Sequence, residues 1–348
     1  MTENPEVLPA HQFDERRLED WLAANLDGFV GPMTVAEFSA GQSNPTYRLT
    51  TPGASYVLRR KPPGTLLPSA HAVDREYRIL HALADTGVPV PRTFLLCEDE
   101  SVVGTMFYVM EFLDGRILFD PRLPGVTSNA ERAAMFDAMN EVIAALHNVD
   151  YKSVGLGDFG REGGYVARQI GRWSKQYKAS ETESIDAMER LMAWLPARLP
   201  AHDETTLVHG DYRLDNLVFH PTEPRVIGVL DWEIATLGNP LADFAYHVMA
   251  WRVSPDEFRG LREVDINGLG IPDEAAYTAA YAKRTGRDAL PDWEFYMAYN
   301  LFRMAAILQG IMGRVRDGTA ANPEAARMGA LVRPLADLAW AQAEKIGD

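Results

Sequence analysis

The stretch LVHGDYRLDNLVFHPTEPRVIGVLDWE, residues 207–233, sets polar residues against short apolar runs. Leu217–Phe219 and Val226–Leu230 are β-like runs on either side of a Pro-containing turn, so they predict a hairpin. Three polar side chains, Asp211, Asn216 and Asp231, lie near the ends of these runs. A hairpin would direct them toward one point.

The spacing of these three residues is typical of phosphoryl transfer. That chemistry needs a carboxylate to orient the attacking hydroxyl, and oxygen ligands to hold Mg²⁺ against the phosphates. In the kinase pattern, the base Asp is followed five residues later by a metal-binding Asn, and a second metal-binding Asp comes after a hairpin. Asp211, Asn216 and Asp231 are predicted to fill these roles in that order. Asp215, directly beside Asn216, is interpreted as a solvated or loop-bracing residue.

Composition narrows the class of protein. The 348 residues can form two lobes, and 47% hydrophobic with 24% charged residues is ordinary for a globular protein. A net charge of −15 argues against general nucleic-acid or anionic-membrane binding. The single cysteine, Cys97, cannot form an internal disulfide. With no signal-peptide pattern and no apolar run of about 20 residues, we expect a cytoplasmic protein.

Upstream, a loop joins two β-like runs within Thr34–Thr50. Gln42, Ser43 and Asn44 in this loop offer hydrogen-bond donors, and a phosphate could lie beneath them. Small polar residues also make ordinary hairpin turns, so this alternative stays open.

The next predicted strand, Ser55–Lys61, places Val57, Arg59 and Lys61 on one face by its period of two. Arg59 is predicted to contact the phosphates, although the kinase pattern expects Lys and Lys61 competes for the role. The helix predicted over Ser69–Asp85 places Glu76 beside its apolar stripe, where Glu76 could pair with Arg59.

Two more strands, Arg92–Cys97 and Thr105–Leu113, complete a predicted five-stranded lobe with one inserted helix. The second strand leads into a hinge at which Glu111 and Leu113 are predicted to contact adenine. The simpler alternative is a buried strand that meets a turn. This hinge divides the predicted domains, residues 1–113 and residues 114–348.

The remainder is predicted to be mostly helical, with helices over Ala130–His147, Tyr165–Lys178, Ser184–Leu199, Asp292–Arg314 and Ala321–Ala343. The run VGLGDFGREGG contains both a G-x-G-x-x-G and a D-F-G string. No strand precedes the glycines, and the D-F-G comes before the catalytic loop instead of after it. Both strings are therefore interpreted as one structural turn, with a dinucleotide-dependent oxidoreductase as the competing hypothesis.

The strings LVHGDYRLDNLVF and VIGVLDWEIATLGNPLADFAY, with FSAGQSNPTYRL, YVLRRKPPG, REYRIL and FYVMEFLDG upstream, resemble the aminoglycoside phosphotransferase and choline kinase-like families. The resemblance implies an α+β, bilobal protein-kinase-like fold that uses ATP and Mg²⁺. It implies Asp211 as base, Asn216 and Asp231 as metal ligands, and Arg59 with Glu76 as the phosphate-orienting pair. It also implies that Asp243 braces the catalytic loop and that His209 is structural.

Within that superfamily, the run YVLRRKPPGTLLPSAHAVDREYRIL and the loop HGDYRLDN most resemble kinase domains associated with acyl-CoA dehydrogenases. Some of these phosphorylate the hydroxyl of 4-hydroxyacyl-CoA thioesters, which implies a small-molecule hydroxyl acceptor. Arg213, Trp232 and Arg303 are the candidate substrate-binding residues. An aminoglycoside, amino-alcohol or sugar kinase and a nucleotide-binding pseudokinase are the alternatives, while the oligomeric state and the use of GTP stay open.

Overall fold

The computed structural model describes residues 3–4, 7–8, 11–38, 44–64, 71–318 and 325–347. The chain divides into two compact units. The first comprises Met1–Ile117 and Asp215–Ile234, and the second comprises Leu118–Leu214 and Ala235–Asp348. The stretch 207–233 therefore contributes to both units.

An antiparallel six-stranded sheet forms the centre of the first unit. Its strands are β1 (Glu3–Asn4), β2 (Thr34–Phe38), β3 (Thr46–Thr50), β4 (Ser55–Arg60), β5 (Thr93–Cys97) and β6 (Phe107–Glu111), in the spatial order β1-β2-β3-β4-β6-β5. The five strands predicted from the sequence are confirmed, and the two-residue β1 pairs with β2 at the edge. Strand β4 lies inside the sheet because it pairs with β3 and β6.

Two helices accompany the sheet, α1 (Glu15–Asn25) and α2 (Val73–Leu83). The carboxylate of Asp14 caps α1 by accepting a hydrogen bond from the backbone N–H of Arg17. Helix α2 buries Glu76 within its apolar stripe. The predicted start of this helix at Ser69 lies outside the described residues.

Five shorter strands follow, β7 (Arg116–Ile117), β8 (Thr206–Val208), β9 (Leu217–Phe219), β10 (Val226–Val229) and β11 (Thr236–Gly238). Strands β9 and β10 form the predicted hairpin, and β7, which the sequence did not predict, adds to it in the order β10-β9-β7. Gly115 permits this pairing because a Cβ there would lie 2.5 Å from the carbonyl oxygen of Phe219. Strands β8 and β11 form a separate antiparallel pair in the second unit.

The second unit is mostly helical, as predicted. Its helices are α3 (Asn129–His147), α4 (Tyr165–Ser180), α5 (Asp186–Ala197), α6 (Pro240–Val248), α7 (Pro255–Phe258), α8 (Ile266–Leu269), α9 (Glu274–Arg284), α10 (Trp293–Arg316), α11 (Ala325–Gly329) and α12 (Val332–Glu344). Helix α10 is the central element and packs against α4, α6 and α12. The single C-terminal helix predicted from Ala321 is instead two helices, α11 and α12, where it is described.

Helix α6 begins directly after the strand β11, and its start follows from local sequence. The side chain of Asn239 accepts hydrogen bonds from the backbone N–H groups of Leu241 and Ala242. Pro240 occupies the first helical position, where its missing N–H is not needed. These two residues fix where α6 starts, and hence which of its side chains face the loop after β8.

Candidate active site

An ion pair joins β4 and α2 in the first unit. The Nε atom of Arg59 lies 2.7 Å from Oε2 of Glu76, and their side chains are 12% and 2% exposed. Glu76 also accepts hydrogen bonds from the hydroxyl of Tyr108 at 3.1 Å and from the amide of Asn44 at 2.8 Å. The pair expected from the sequence is present, and each oxygen of the buried carboxylate has a partner.

Burial and charge oppose each other in this pair. Burial raises the pKa of Glu76 to about 7, and the Arg59 guanidinium limits that rise. Burial alone would lower the pKa of Arg59, but Glu76, Tyr108, Asp231 and Glu233 together hold it above its ordinary value. Arg59 thus keeps its charge and is the main group that lowers the pKa of Glu76.

Asn44, at the end of the predicted phosphate loop, bonds to two side chains of the first unit. This residue is fully buried, and its side chain bonds with Glu76 and, at 3.0 Å, with Nδ1 of His71. Its amide therefore supports the carboxylate of Glu76, and its role as a phosphate donor stays a prediction. Gln42 and Ser43 lie outside the described residues.

Lys61, the competitor of Arg59, lies one residue beyond the end of β4. Its ammonium is 3.7 Å from the carboxylate of Asp74, and the two side chains are 28% and 46% exposed. Arg59, by contrast, also reaches Asp231, with Nη2 3.0 Å from Oδ1. Of the two cations, Arg59 is the one placed beside the predicted metal-binding carboxylate.

The hairpin brings Asn216 and Asp231 together within the first unit. Asn216 ends a 3₁₀ turn, and its carbonyl oxygen accepts a hydrogen bond from the N–H of Leu230 at 2.8 Å. Asp231 follows directly with φ of +65°, a left-handed conformation uncommon for residues other than glycine. This backbone turn directs Asp231 toward Arg59. The Nη2 atom of Arg59 also lies 3.7 Å from Oε2 of Glu233.

The predicted hinge residues lie at the end of β6 and just beyond it. Glu111 pairs with Tyr56 across the sheet and is exposed, while its carboxylate accepts a hydrogen bond from the N–H of Arg92 at 3.2 Å. Leu113 is half-buried and packs on Gly228 of the hairpin. Val57 is buried inside β4.

In the second unit, Asp243 on α6 holds the loop that follows β8. Its two carboxylate oxygens accept hydrogen bonds from the backbone N–H groups of His209 and Gly210, both at 2.8 Å. Its Oδ2 also lies 3.3 Å from Nε2 of the buried His147. Although burial acts to raise the pKa of Asp243, these partners hold it below its ordinary value. The geometry matches the bracing role that the resemblance implies.

Asp211 receives a hydrogen bond that the sequence did not predict. The hydroxyl of Tyr246, on α6, donates to Oδ1 of Asp211 at 2.5 Å. Burial and the Asp211 carboxylate raise the pKa of Tyr246, so the phenol stays neutral and acts as the donor. The sequence signal was the position of Tyr246 three residues after Asp243, which places both on one face of a helix.

Two of the three candidate substrate-binding residues are buried. Trp232 is 2% exposed, and its indole N–H donates to the carbonyl of Val229 at 2.9 Å. Arg303 is 6% exposed and donates to the carbonyl of Gly210 at 2.6 Å. Both side chains bond to the backbone of the protein interior, and their role in substrate binding stays a prediction. Arg213 is half-buried on the loop after Asp211.

The glycine-rich string forms a turn between α3 and α4, with no strand before it. A Cβ on Gly160 would collide with Thr236 and lie 2.7 Å from the backbone nitrogen of Leu237 in β11. Phe159 is 1% exposed. The prediction of a structural turn is confirmed.

A small antiparallel sheet with a buried Arg–Glu pair, followed by a helical unit with a braced Asp loop, defines a kinase-like phosphotransferase fold. The chain belongs to the phosphotransferase enzyme family, whose sequence profile matches residues 34–299. The resemblance inferred from the sequence is confirmed.

The relatives include acyl-CoA dehydrogenase family member 10 of Mus musculus, which is 50% identical over 94% of this chain and 31% of its own length. Acyl-CoA dehydrogenase family member 11 of Rattus norvegicus is 45% identical over 95% of this chain and 43% of its own length. The chain thus spans less than half the length of these relatives.

Among solved structures, a Ralstonia eutropha protein designated an aminoglycoside phosphotransferase is 55% identical, with a TM-score of 0.89 over 96% of this chain and 99% of that one. The aminoglycoside phosphotransferase APH(4)-Ia, in a ternary complex with AMP-PNP and hygromycin B, is 16% identical. Its TM-score of 0.60, over 94% of this chain and 98% of that one, shows a shared fold. In the part of the chain that the structure describes, no helix is long and apolar enough to cross a membrane.

Proposed function

We propose that this protein transfers the γ-phosphate of ATP to a hydroxyl of a small molecule in an Mg²⁺-dependent reaction. The observation that carries the proposal is Arg59, which is fixed by the buried Glu76 and reaches Asp231. A cation held in this way neutralises phosphate charge without reorganisation during the reaction. Membership of the phosphotransferase enzyme family supports the same reaction class.

Asp211 is the proposed base. A carboxylate at this point of a kinase loop orients the acceptor hydroxyl and takes its proton as the bond to phosphorus forms. The loop is suited to the task because Asp243 holds the backbone N–H groups of the two preceding residues. The carboxylate of Asp211 is thereby attached to a backbone with little freedom to move.

Asn216 and Asp231 are the proposed Mg²⁺ ligands. A carboxylate and an amide oxygen are hard donors that suit this ion. The hydrogen bond from Leu230 to Asn216 brings the two residues to neighbouring backbone positions, so the donor set fits the ion. When bound, Mg²⁺ would neutralise charge on the phosphates and orient them.

The adenine-binding segment is proposed to be the end of β6 and the residues that follow, Glu111 to Leu113, with Val57 beneath the base. Leu113 is half-buried against the hairpin, and Val57 is buried in the neighbouring strand β4. The half-buried Leu113 would give the flat adenine ring an apolar surface, and the backbone groups at the end of β6 would give it hydrogen bonds.

A hydroxyacyl-CoA is the proposed acceptor. The relatives that share 45–50% identity with the chain are named acyl-CoA dehydrogenases, and a kinase segment within such a protein would meet acyl-CoA thioesters. A polycationic aminoglycoside would instead need several carboxylates. Helix α10 carries one acidic residue, Glu294, and Arg252 already pairs with it at 2.9 Å.

The test is a mass-resolved screen for ATP-dependent phosphorylation of a 4-hydroxyacyl-CoA, hygromycin B, choline and glucose, with Mg²⁺ present or chelated. We expect the 4-hydroxyacyl-CoA to gain one phosphate in the presence of Mg²⁺ only. Asp211→Asn should lower turnover by about 10²- to 10⁴-fold without a change in thermal melting. Asp215→Asn is the matched control from the same loop and should stay within a few-fold of wild type.

The rival functions predict different results. A pseudokinase would bind Mg-ATP but show no hydroxyl acceptor that accelerates its turnover. An oxidoreductase would be stabilised thermally by NAD and not by Mg-ATP. Full activity in a folded Asp211→Asn protein would refute the assignment of the base.

A further inference from the structure

Helix α6 contacts the loop after β8 through two side chains on one face. Asp243 accepts hydrogen bonds from the backbone of His209 and Gly210, while Tyr246 donates to the side chain of Asp211. The two residues are three positions apart, so they lie one turn apart on the same surface of the helix. Asp243 therefore holds the loop, and Tyr246 holds the carboxylate that the loop carries.

Tyr246 is itself supported by Arg303 of α10. The guanidinium carbon of Arg303 lies 4.8 Å from the centre of the Tyr246 ring and 5.7 Å from that of Trp173. The same guanidinium donates to the carbonyl of Gly210 at 2.6 Å. Arg303 thus contacts both the residue before Asp211 and the tyrosine that binds Asp211.

The surroundings of Arg303 are unusual for a buried cation. It is 6% exposed, and no described carboxylate forms a close ion pair with it, although the nearby charge of Asp211 helps to raise its pKa. Burying a cation without a paired anion is costly, so a hydrophobic residue would serve better if packing were its sole role. A cation over an aromatic face draws electron density from the ring, which makes the phenol hydroxyl a stronger donor.

We propose that Tyr246, backed by Arg303, is a positioning residue that fixes the orientation of the Asp211 carboxylate for phosphoryl transfer. The inference rests on the proposed function, in which Asp211 is the base. The last torsion of an aspartate side chain has a broad energy minimum, so packing alone defines its plane poorly. A hydrogen bond of 2.5 Å to Oδ1 fixes that plane and with it the direction in which the carboxylate meets the acceptor.

The test is Tyr246→Phe, which keeps the ring under Arg303 and removes only the hydroxyl. Mg-ATP hydrolysis, with water as the acceptor, is measured beside phosphorylation of a 4-hydroxyacyl-CoA, so the result does not depend on that choice of acceptor. In whichever of these two assays the wild-type protein is active, we expect the kcat of Tyr246→Phe to be about 10- to 100-fold lower, with the KM for ATP unchanged. Titration with AMP-PNP counts the folded molecules, so that a loss of folded protein is not mistaken for a loss of kcat.

Tyr299→Phe is the matched control. Tyr299 lies on α10 and is 1% exposed, and its hydroxyl has no hydrogen-bond partner among the described residues. Removing that hydroxyl is the same chemical change at a buried tyrosine that does not bind Asp211. Its kcat and KM should equal those of wild type.

Asp211→Asn, measured in parallel, distinguishes failure of the positioning role from failure of the proposed function. If the kcat of Asp211→Asn falls at least 100-fold while the kcat of Tyr246→Phe stays within twofold of wild type, the positioning role is refuted and the proposed function stands. If Asp211→Asn itself stays within twofold, the base assignment fails and the positioning role with it. Should Tyr246→Phe fold poorly, Arg303→Lys decides: lower kcat at unchanged KM for ATP supports the inference, and unchanged kcat refutes it.

Discussion

Replacing Arg59 with Met should destabilise the first unit by leaving a buried carboxylate without its cation. Removing one partner of a buried ion pair typically costs about 3–5 kcal/mol. Glu76 is 2% exposed but keeps its hydrogen bonds from Tyr108 and Asn44. The lower end of that range, about 3 kcal/mol near pH 8.5, is therefore the expected loss in the free energy of unfolding.

This loss should shrink as the pH falls. Burial already raises the pKa of Glu76 to about 7 from its ordinary 4.5, and Arg59 is the main group that lowers it, with Tyr108 as a smaller one. Without Arg59 the pKa of Glu76 in the folded protein rises further. A folded carboxyl group that binds its proton more tightly than the unfolded chain gains stability as the pH falls through that folded pKa. At pH 5.5 the loss should be about 1 kcal/mol.

The assay is urea denaturation of Arg59→Met and wild type at pH 8.5 and 5.5, with hydrogen exchange of residues 73–83 to report on α2 directly. Lys61→Met is the control, because this neighbouring cation is more exposed and lies 3.7 Å from Asp74. Its cost should stay below about 1 kcal/mol at both pH values. A loss for Arg59→Met that is no larger than the control's, or that is equal at both pH values, would refute the reasoning.

Two further predictions concern the second unit. Burial lowers the pKa of His247 to about 4 from 6.5, so the folded protein favours the neutral imidazole. This preference contributes stability that is fully present above pH 6.5 and is lost as the pH falls toward 4. In denaturation at pH 7 and pH 4.5, wild type should therefore lose about 2–3 kcal/mol more than His247→Gln, and equal losses would contradict this account. Gly160→Ala should lower the free energy of unfolding by about 1–3 kcal/mol because its Cβ would crowd β11. Gly157→Ala, whose Cβ would meet only Lys152 at 3.8 Å, should be nearly neutral when both variants are compared with wild type by thermal melting.

Local sequence patterns predicted the elements of the fold well, because hydrophobic periodicity and turn residues act over a few neighbouring positions. Strands β2 to β6, the hairpin of β9 and β10, and the long helices α3, α4 and α10 lie where the sequence placed them, to within a few residues at their ends. The two-residue strands β1 and β7 were missed because so short a run carries no periodicity.

The sequence by itself determined the order and spacing of Asp211, Asn216 and Asp231, and the candidacy of Arg59 and Glu76, because these follow from a motif that is local in the chain. Tertiary structure alone decided what the side chains touch. Asn44 supports Glu76 from 32 positions away, and Arg59 reaches Asp231 from 172 positions away.

The hydrogen bond from Tyr246 to Asp211 spans 35 positions, and that from Arg303 to Gly210 spans 93. Such contacts depend on how helices α6 and α10 pack, and helical periodicity predicts a buried face without naming its partner. The stretch 207–233 therefore supplies the candidate catalytic residues, and the packing of distant helices determines how Asp211 is held.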